Sequence, residues 1–272
     1  MDFSIRLSNK QLLQGIIESP GENIKAGIIL VHGLGEHIGR WSAWIKRFND
    51  NRIVVAGVDL PGHGISDGKR GVMKNYTFVN EMLDVLIDEF RKTFPGIPVF
   101  LYGHSLGGGI VLEYILKKKP TIKGAIVTSP WLKLSFEPDK SKLILVRIIK
   151  SILPSLVQPS GLVVDHLSHD STVITKYIND PLVHDRISVG LFHAAVTAGD
   201  FSLENAEILN IPVLLMHGSK DSITSPGGSR EFASKTNKVH LKIWDEGFHE
   251  LHNEPFKDEV FDYINDWIEK TI

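Results

Sequence analysis

The chain of 272 residues contains no cysteine. Disulfides, a thiolate nucleophile and cysteine-ligated zinc are thereby excluded, and such a composition suits a reducing compartment. A surplus of basic charge is also missing: 30 Lys and Arg stand against 32 Asp and Glu, a formal charge of −2. Phosphate backbones are held by a basic excess or stripe, so nucleic acid is not expected as a partner. No uncharged run approaches the roughly 20 residues that a membrane helix needs. The opening "MDFSIRLSNKQLLQGIIESPGE" places charges where a signal peptide would carry its apolar core. Twelve histidines are present, yet none stands in an H-E-x-x-H pair. In "HGLGEH" glycines interrupt the helix that would have to hold two ligands together. A metal is not expected. A hydrophobic fraction of 42% with 23% charged residues belongs to globular proteins, and the expectation is a soluble, cytoplasmic protein.

What the sequence does contain is a succession of short apolar runs. "FSIRLS" and "LLQGIIE" flank "NKQ" and read as a hairpin. "AGIILVHG", "RIVVAGVDL", "PVFLYGHS", "GAIVTSP", "PVLLMHG" and "HLKIWD" follow, most of them separated by helix-period stretches. In residues 76–94 Phe78, Met82, Leu83, Leu86, Ile87 and Phe90 recur at three- and four-residue spacing. In the closing run Phe256, Val260, Ile264 and Ile268 form one stripe. Continuous apolar strands alternating with helices indicate an α/β fold with a mostly parallel sheet covered on both faces.

Between "SPW" (129–131) and "IPVLLMHG" (211–218) the alternation stops. A structureless loop of that length is improbable in a compact domain. The expectation is a mainly helical cap over residues 132–200, seated on the C-terminal edge of a core formed by 1–131 and 201–272.

The stretch "GHSLG" (103–107) lies at the end of an apolar run and opens a helix. It has the G-x-S-x-G form of a nucleophile elbow, in which a strained serine is lifted above the sheet. Gly103 and Gly107 occupy the positions where neighbours come too close for side chains. Gly108 and Gly109 are expected to let the helix pack near the sheet. A serine needs a base to take its proton, and the base needs an acid to fix its tautomer. In this architecture they follow in the order acid, then histidine. Asp221, past "VLLMHG", and His249, past "HLKIWD", satisfy that order and stand at strand ends. The backbone N–H of Leu106, after the serine, and that of Leu34 in "VHGLGEH" are the expected oxyanion donors.

With "HGLGEHIGRW", "DLPGHGISDG", "GHSLGG", "NDPLVHDR", "GSKDSI" and "EGFHELH" the chain resembles the monoacylglycerol lipase and lysophospholipase-type branch of the α/β-hydrolases. The resemblance covers nearly the whole chain. It implies a serine esterase acting on a single-chain lipid ester without a cofactor, with Ser105, Asp221 and His249 as nucleophile, acid and base. It also implies that Glu36, Arg40 and His252 stand near the alcohol end of the pocket, although Glu36 and Arg40 equally fit an ion pair that fixes the oxyanion loop. Lysophospholipase, thioesterase, general carboxylesterase or acyltransferase chemistry uses the same residues. Dehalogenase or epoxide hydrolase chemistry would need an aspartate in place of Ser105. A non-catalytic lipid-binding member is disfavoured by the intact Ser, Asp, His order.

In "SKLILVRIIKSILP" Ile144, Ile148 and Ile152 form one row and Leu145, Ile149 and Leu153 an adjacent one, with Arg147 and Lys150 opposite. Two readings stay open for this face. Ile148 and Ile152 either cover the acyl pocket or rest on a membrane or micelle.

Overall fold

A computed structural model describes residues 2–136 and 140–272. In chain order the strands are β1 (Asp2–Arg6), β2 (Leu12–Glu18), β3 (Ala26–Val31), β4 (Ile53–Val58), β5 (Val99–His104), β6 (Gly124–Thr128), β7 (Val157–Pro159), β8 (Arg186–Ser188), β9 (Val213–Gly218) and β10 (Val239–Trp244). The helices are α1 (Ser42–Asp50), α2 (Thr77–Thr93), α3 (Leu106–Lys118), α4 (Lys140–Ile152), α5 (Ser171–Asn179), α6 (Val189–Glu204), α7 (Pro226–Ser234) and α8 (Lys257–Thr271).

Eight strands form one sheet in the order β1-β2-β4-β3-β5-β6-β9-β10. The β1–β2 hairpin is antiparallel and β2 runs antiparallel to β4. The other neighbours are parallel. Every residue of β3, β4, β5, β6 and β9 is buried, as their unbroken apolar runs require. Alternate side chains serve opposite layers. Ile29, Val31 and Leu101 join the core shared with α2, α3 and α6. Ile28, Leu30, Phe100 and Tyr102 join the core of α1 and α8. Helix α2 starts where Asn75 Oδ1 accepts the Thr77 amide at 3.0 Å. It ends just before Phe94-Pro95, where the residue preceding proline is steered out of helical geometry.

The segment between β6 and β9 has no parallel strand among its described residues. It holds α4, α5 and a two-stranded antiparallel ribbon in which Gln158 pairs with Ile187, an element with no sequence signal because its strands are three residues each. The span 132–200 ends inside α6. That helix packs as part of the core layer, with Leu191, Ala195, Ala198 and Leu203 buried beside Ile110 and Leu112 of α3. A Cβ at Gly199 would lie 2.4 Å from the Leu132 carbonyl oxygen, so α6 and the chain leaving β6 touch backbone to backbone. Among the described residues no helix is long and apolar enough to cross a membrane.

Candidate active site

Ser105 joins β5 to α3 with φ 54° and ψ −116°, a region that side chains other than glycine rarely enter. The surroundings hold it there. Its amide donates to Thr128 O at 3.0 Å, and its carbonyl accepts the Trp131 and Gly109 amides at 2.9 and 3.0 Å. The flanking glycines have direct steric causes. A Cβ at Gly103 would stand 2.5 Å from the Gly107 carbonyl oxygen, and one at Gly107 would stand 2.1 Å from Val31 O. Gly108 and Gly109 lie against Pro130 and Trp131, so they bring α3 close to the loop after β6.

His249 reaches this serine from the loop after β10. Its Nδ1 lies 2.7 Å from Asp221 Oδ2 and its Nε2 2.9 Å from Ser105 Oγ. The carboxylate can only accept, so Nδ1 carries the proton and Nε2 is free to accept from the serine hydroxyl. Asp221 sits in the turn after β9. Its Oδ1 accepts the Ile223 and Thr224 amides at 2.8 and 3.0 Å. Burial opposes the Asp221 charge, yet the charge of His249 and the hydrogen bonds from His217 and His249 hold the carboxyl far below its ordinary range. Burial likewise pulls His249 down. The charge and hydrogen bond of Asp221, helped by Glu250 and Glu36, overcome this and raise the imidazole above its ordinary 6.5.

Beside Ser105 runs the loop after β3. Gly33 is so near that a Cβ there would lie 3.3 Å from Ser105 Cβ. His32 shapes this loop: Nδ1 donates to Gly33 O at 2.8 Å and Nε2 accepts the Leu60 amide at 2.8 Å. Glu36 closes it, with Oε1 accepting the Gly33 amide at 2.6 Å. Its Oε2 accepts from Arg40 Nη1 at 2.8 Å and Trp41 Nε1 at 3.2 Å. Arg40 then forks onto Glu250, with 2.9 Å to each oxygen. Burial disfavours the Arg40 charge, but Glu250 and Glu36 hold the guanidinium protonated, above even its ordinary range. One cation between two buried carboxylates leaves this cluster net negative. The amides of Leu34 and Leu106 bond to no group among the described residues, which leaves both available to an incoming oxygen.

These groups border a cavity of about 170 Å³. Ser105, His249, Gly33 and Leu34 line it together with the Glu36–Arg40–Glu250 cluster and Tyr177, whose ring lies 4.7 Å below the Arg40 guanidinium. Much of the remaining wall is apolar: Trp131, Leu134, Phe136, Leu162, Val163, Leu167, Phe192 and Ile223.

The model of the family described as serine aminopeptidase, S33, matches residues 22–256. The chain belongs to this family. Human monoglyceride lipase is 31% identical over 90% of the chain and 82% of that protein. The crystal structure of a monoacylglycerol lipase from Paleococcus ferrophilus has a TM-score of 0.87 at 32% identity, covering 95% of this chain and 99% of that one. An abhydrolase domain-containing protein of Dictyostelium discoideum is 35% identical over 97% of the chain, which spans 28% of that protein's length. The fold is that of the α/β-hydrolases, and the chain is a monoglyceride-lipase-like serine hydrolase.

Within this hydrolase the residues expected from the sequence fall into three groups. Ser105, Asp221, His249, Leu34, Glu36 and Arg40 come together at the cavity or directly behind it. His252 does not line it. The short 3-10 turn Leu251–Asn253 carries its ring behind the site, stacked on Trp41 at 3.9 Å and edge-on to His104 at 4.9 Å. Burial outweighs the charges of Glu250 and Glu36 and lowers it to about 4. Ile148 and Ile152 do not line the cavity either; they are 57% and 73% exposed. Lys150 turns the other way, its Nζ 3.4 Å from His193 Nδ1 on α6. The side chains of Ile144 and Leu145 lie outside the described residues. Three converging side chains were not singled out from the sequence: Glu250, His217 and Tyr177. Glu250 stands next to His249 in "GFHELH", and His217 ends the strand that leads to Asp221, so adjacency was the available signal for both.

Proposed function

We propose that this hydrolase cleaves the ester bond of a monoacylglycerol to glycerol and a fatty acid through an acyl-enzyme on Ser105. The observation that carries this reading is the 2.9 Å approach of His249 Nε2 to Ser105 Oγ beside a largely apolar cavity. In the first half-reaction Oγ attacks the ester carbonyl carbon while His249 takes its proton. The carbonyl oxygen, now negative, is met by the N–H groups of Leu34 and Leu106. The carbon–oxygen bond to glycerol then breaks, and His249 delivers its proton to the departing oxygen. Water repeats the sequence on the acyl-enzyme, releasing the fatty acid and restoring Ser105.

The substrate class follows from the cavity walls. Trp131, Leu134, Leu162, Leu167, Phe192 and Ile223 suit an alkyl chain. Arg40 is the sole Lys or Arg among the described lining residues, and both Glu36 and Glu250 already occupy it. A phosphate head group would meet a net negative cluster, whereas the neutral hydroxyls of glycerol can share its hydrogen bonds. We assign the cap to 132–188, ending where α6 enters the core layer. Ile148 and Ile152, with Leu153 and Leu156 after them, give this cap an exposed apolar face suited to peripheral contact with a membrane or micelle.

The test is a hydrolysis panel of monoacylglycerols, lysophosphatidylcholines and short aryl esters of matched chain length. Monoacylglycerol should show the highest kcat/KM among the long-chain esters. A preference for the lysophospholipid would overturn the substrate assignment. Failure of a fluorophosphonate to label Ser105 would overturn the mechanism.

A further inference from the structure

We propose that His217 is a positioning residue for Asp221, holding Oδ2 from the rigid end of β9 and sharing that oxygen with His249. The proposal rests on the reading that Ser105, His249 and Asp221 carry out the hydrolysis.

His217 is completely buried at a strand position whose preceding neighbours, "VLLM", are all apolar. A packing role alone would be filled better by another aliphatic residue, because a buried imidazole must find partners for both nitrogens. It finds three. Nε2 lies 3.0 Å from Asp221 Oδ2 and 3.1 Å from Thr224 O. A carbonyl oxygen accepts only, so Nε2 carries a proton and donates. Nδ1 lies 2.7 Å from Ser229 Oγ on α7, also fully buried, and accepts its hydroxyl proton. The hydrogen on Nε2 is shared between Asp221 Oδ2 and Thr224 O.

The other donors to Asp221 differ in origin. Ile223 and Thr224 belong to the turn of Asp221 itself. The Thr224 hydroxyl has one proton and lies 3.0 Å from both Asp221 Oδ2 and Ser129 O. His217 therefore supplies Oδ2 with a donor anchored in the sheet, where a loop hydroxyl could swing away.

Sharing also sets how much of the Asp221 charge His249 feels. Each hydrogen bond that the carboxylate accepts stabilises its charge and weakens its pull on the neighbouring imidazolium. The groups facing His249 are Asp221 from the turn after β9, Glu250 beside it, Glu36 from the loop after β3, His104 on β5 and His252. Among the described residues Asp221 is the one of these bonded to His217. Removing the His217 donor should let His249 hold its proton to higher pH.

The experiment compares wild type, His217→Phe and His217→Gln on a short soluble aryl ester across pH. His217→Phe should lower kcat by roughly tenfold to a hundredfold with KM little changed, and should move the acid limb of kcat/KM upward by about half a pH unit. His217→Gln, whose amide N–H can reach Oδ2, should bring the limb back. A fall in kcat with an unmoved limb would report damaged packing alone and overturn the proposal, as would full activity in His217→Phe. Should that variant fail to fold, nitrogen-15 histidine spectra of the wild-type enzyme decide. His217 should carry a hydrogen on Nε2, and an Nε2 without one would overturn the assignment. Ser105→Ala and His249→Ala run alongside; turnover surviving in those would defeat the hydrolase mechanism itself, an outcome distinct from an unmoved limb in His217→Phe.

Discussion

Glu36 accepts the amide of Gly33 at 2.6 Å, and the same carboxylate holds Arg40, so the loop beside Ser105 is pinned by a charge that also belongs to the polar wall of the cavity. The two expected roles of Glu36, loop brace and substrate contact, can be separated. Glu36→Ala leaves the Gly33 amide and Trp41 Nε1 without an acceptor. It should lower kcat by about a hundredfold if Leu34 loses its aim at the oxyanion, and equally for long and short esters. Glu36→Gln keeps an acceptor for Gly33 and should recover most of that loss. A change confined to KM for glycerol esters would make Glu36 a substrate contact instead.

The two histidines of "GFHELH" should behave oppositely. His249→Ala should cut kcat by about 10⁴-fold or more with the fold intact. His252→Phe preserves the stack on Trp41 and should retain kcat within a few-fold. His252→Ala opens a hole between Trp41 and His104 and should destabilise the protein by about 2–4 kcal/mol. Loss of turnover in His252→Phe alongside normal turnover in His249→Ala would reverse the assignment.

Activity and stability should both fall on acidification, for different reasons. His249 must be neutral to take the serine proton, and its pKa is raised above 6.5. The acid limb of kcat/KM should therefore lie above pH 6.5. Six other histidines shift the opposite way: burial lowers His252 and His184 to about 4, His63 and His104 well below 6.5, and His32 and His193 below it. Unfolded, these rings take up protons near pH 6.5. The stability they contribute is present above that value and is lost as pH falls toward 4. His249 contributes in the other sense, present below pH 6.5 and lost as pH rises through its raised value. Six against one, Tm should drop between pH 7 and pH 5. A flat Tm across that range would contradict the neutral state of these rings in the fold.

The exposed face of α4 yields a further contrast. Replacing Ile148 and Ile152 together with serine removes apolar surface that is mostly exposed. Folding stability should change little. Sedimentation with liposomes should weaken, and hydrolysis of aggregated long-chain monoacylglycerol should slow, while a water-soluble short ester is cleaved as before. Equal loss on both substrates with unchanged liposome binding would make the helix a lid alone.

Legibility in the sequence followed locality. The central strands β3, β4, β5, β6 and β9 were visible because both faces are buried, and the elbow was visible because Gly103 and Gly107 face backbone carbonyls that admit no Cβ. Asp221 and His249 were visible through chain order and strand ends. The role of α6 was not, because a helix inside a long insertion carries the same periodicity whether it packs on a cap or on α3. His252 shares a heptapeptide with His249, and only the 3-10 turn between them decides which ring meets the serine. Glu250 and His217 were hidden for a similar reason: their partners, Arg40 and Asp221, are fixed by tertiary approach.

Ala125 of β6 pairs with Val213 of β9, so the whole stretch between them is one connection between adjacent parallel strands, with α6 as its crossover helix. The ribbon, α4 and α5 are a detour taken before that helix begins. Ser105 lies upstream of the detour, and Asp221 and His249 lie downstream. An insertion, deletion or wholesale exchange between Leu132 and Ser188 can thus remodel the cavity roof while strand register, elbow and base stay as they are. The reacting residues and this part of the cavity wall occupy separate stretches of the gene, open to change at different rates.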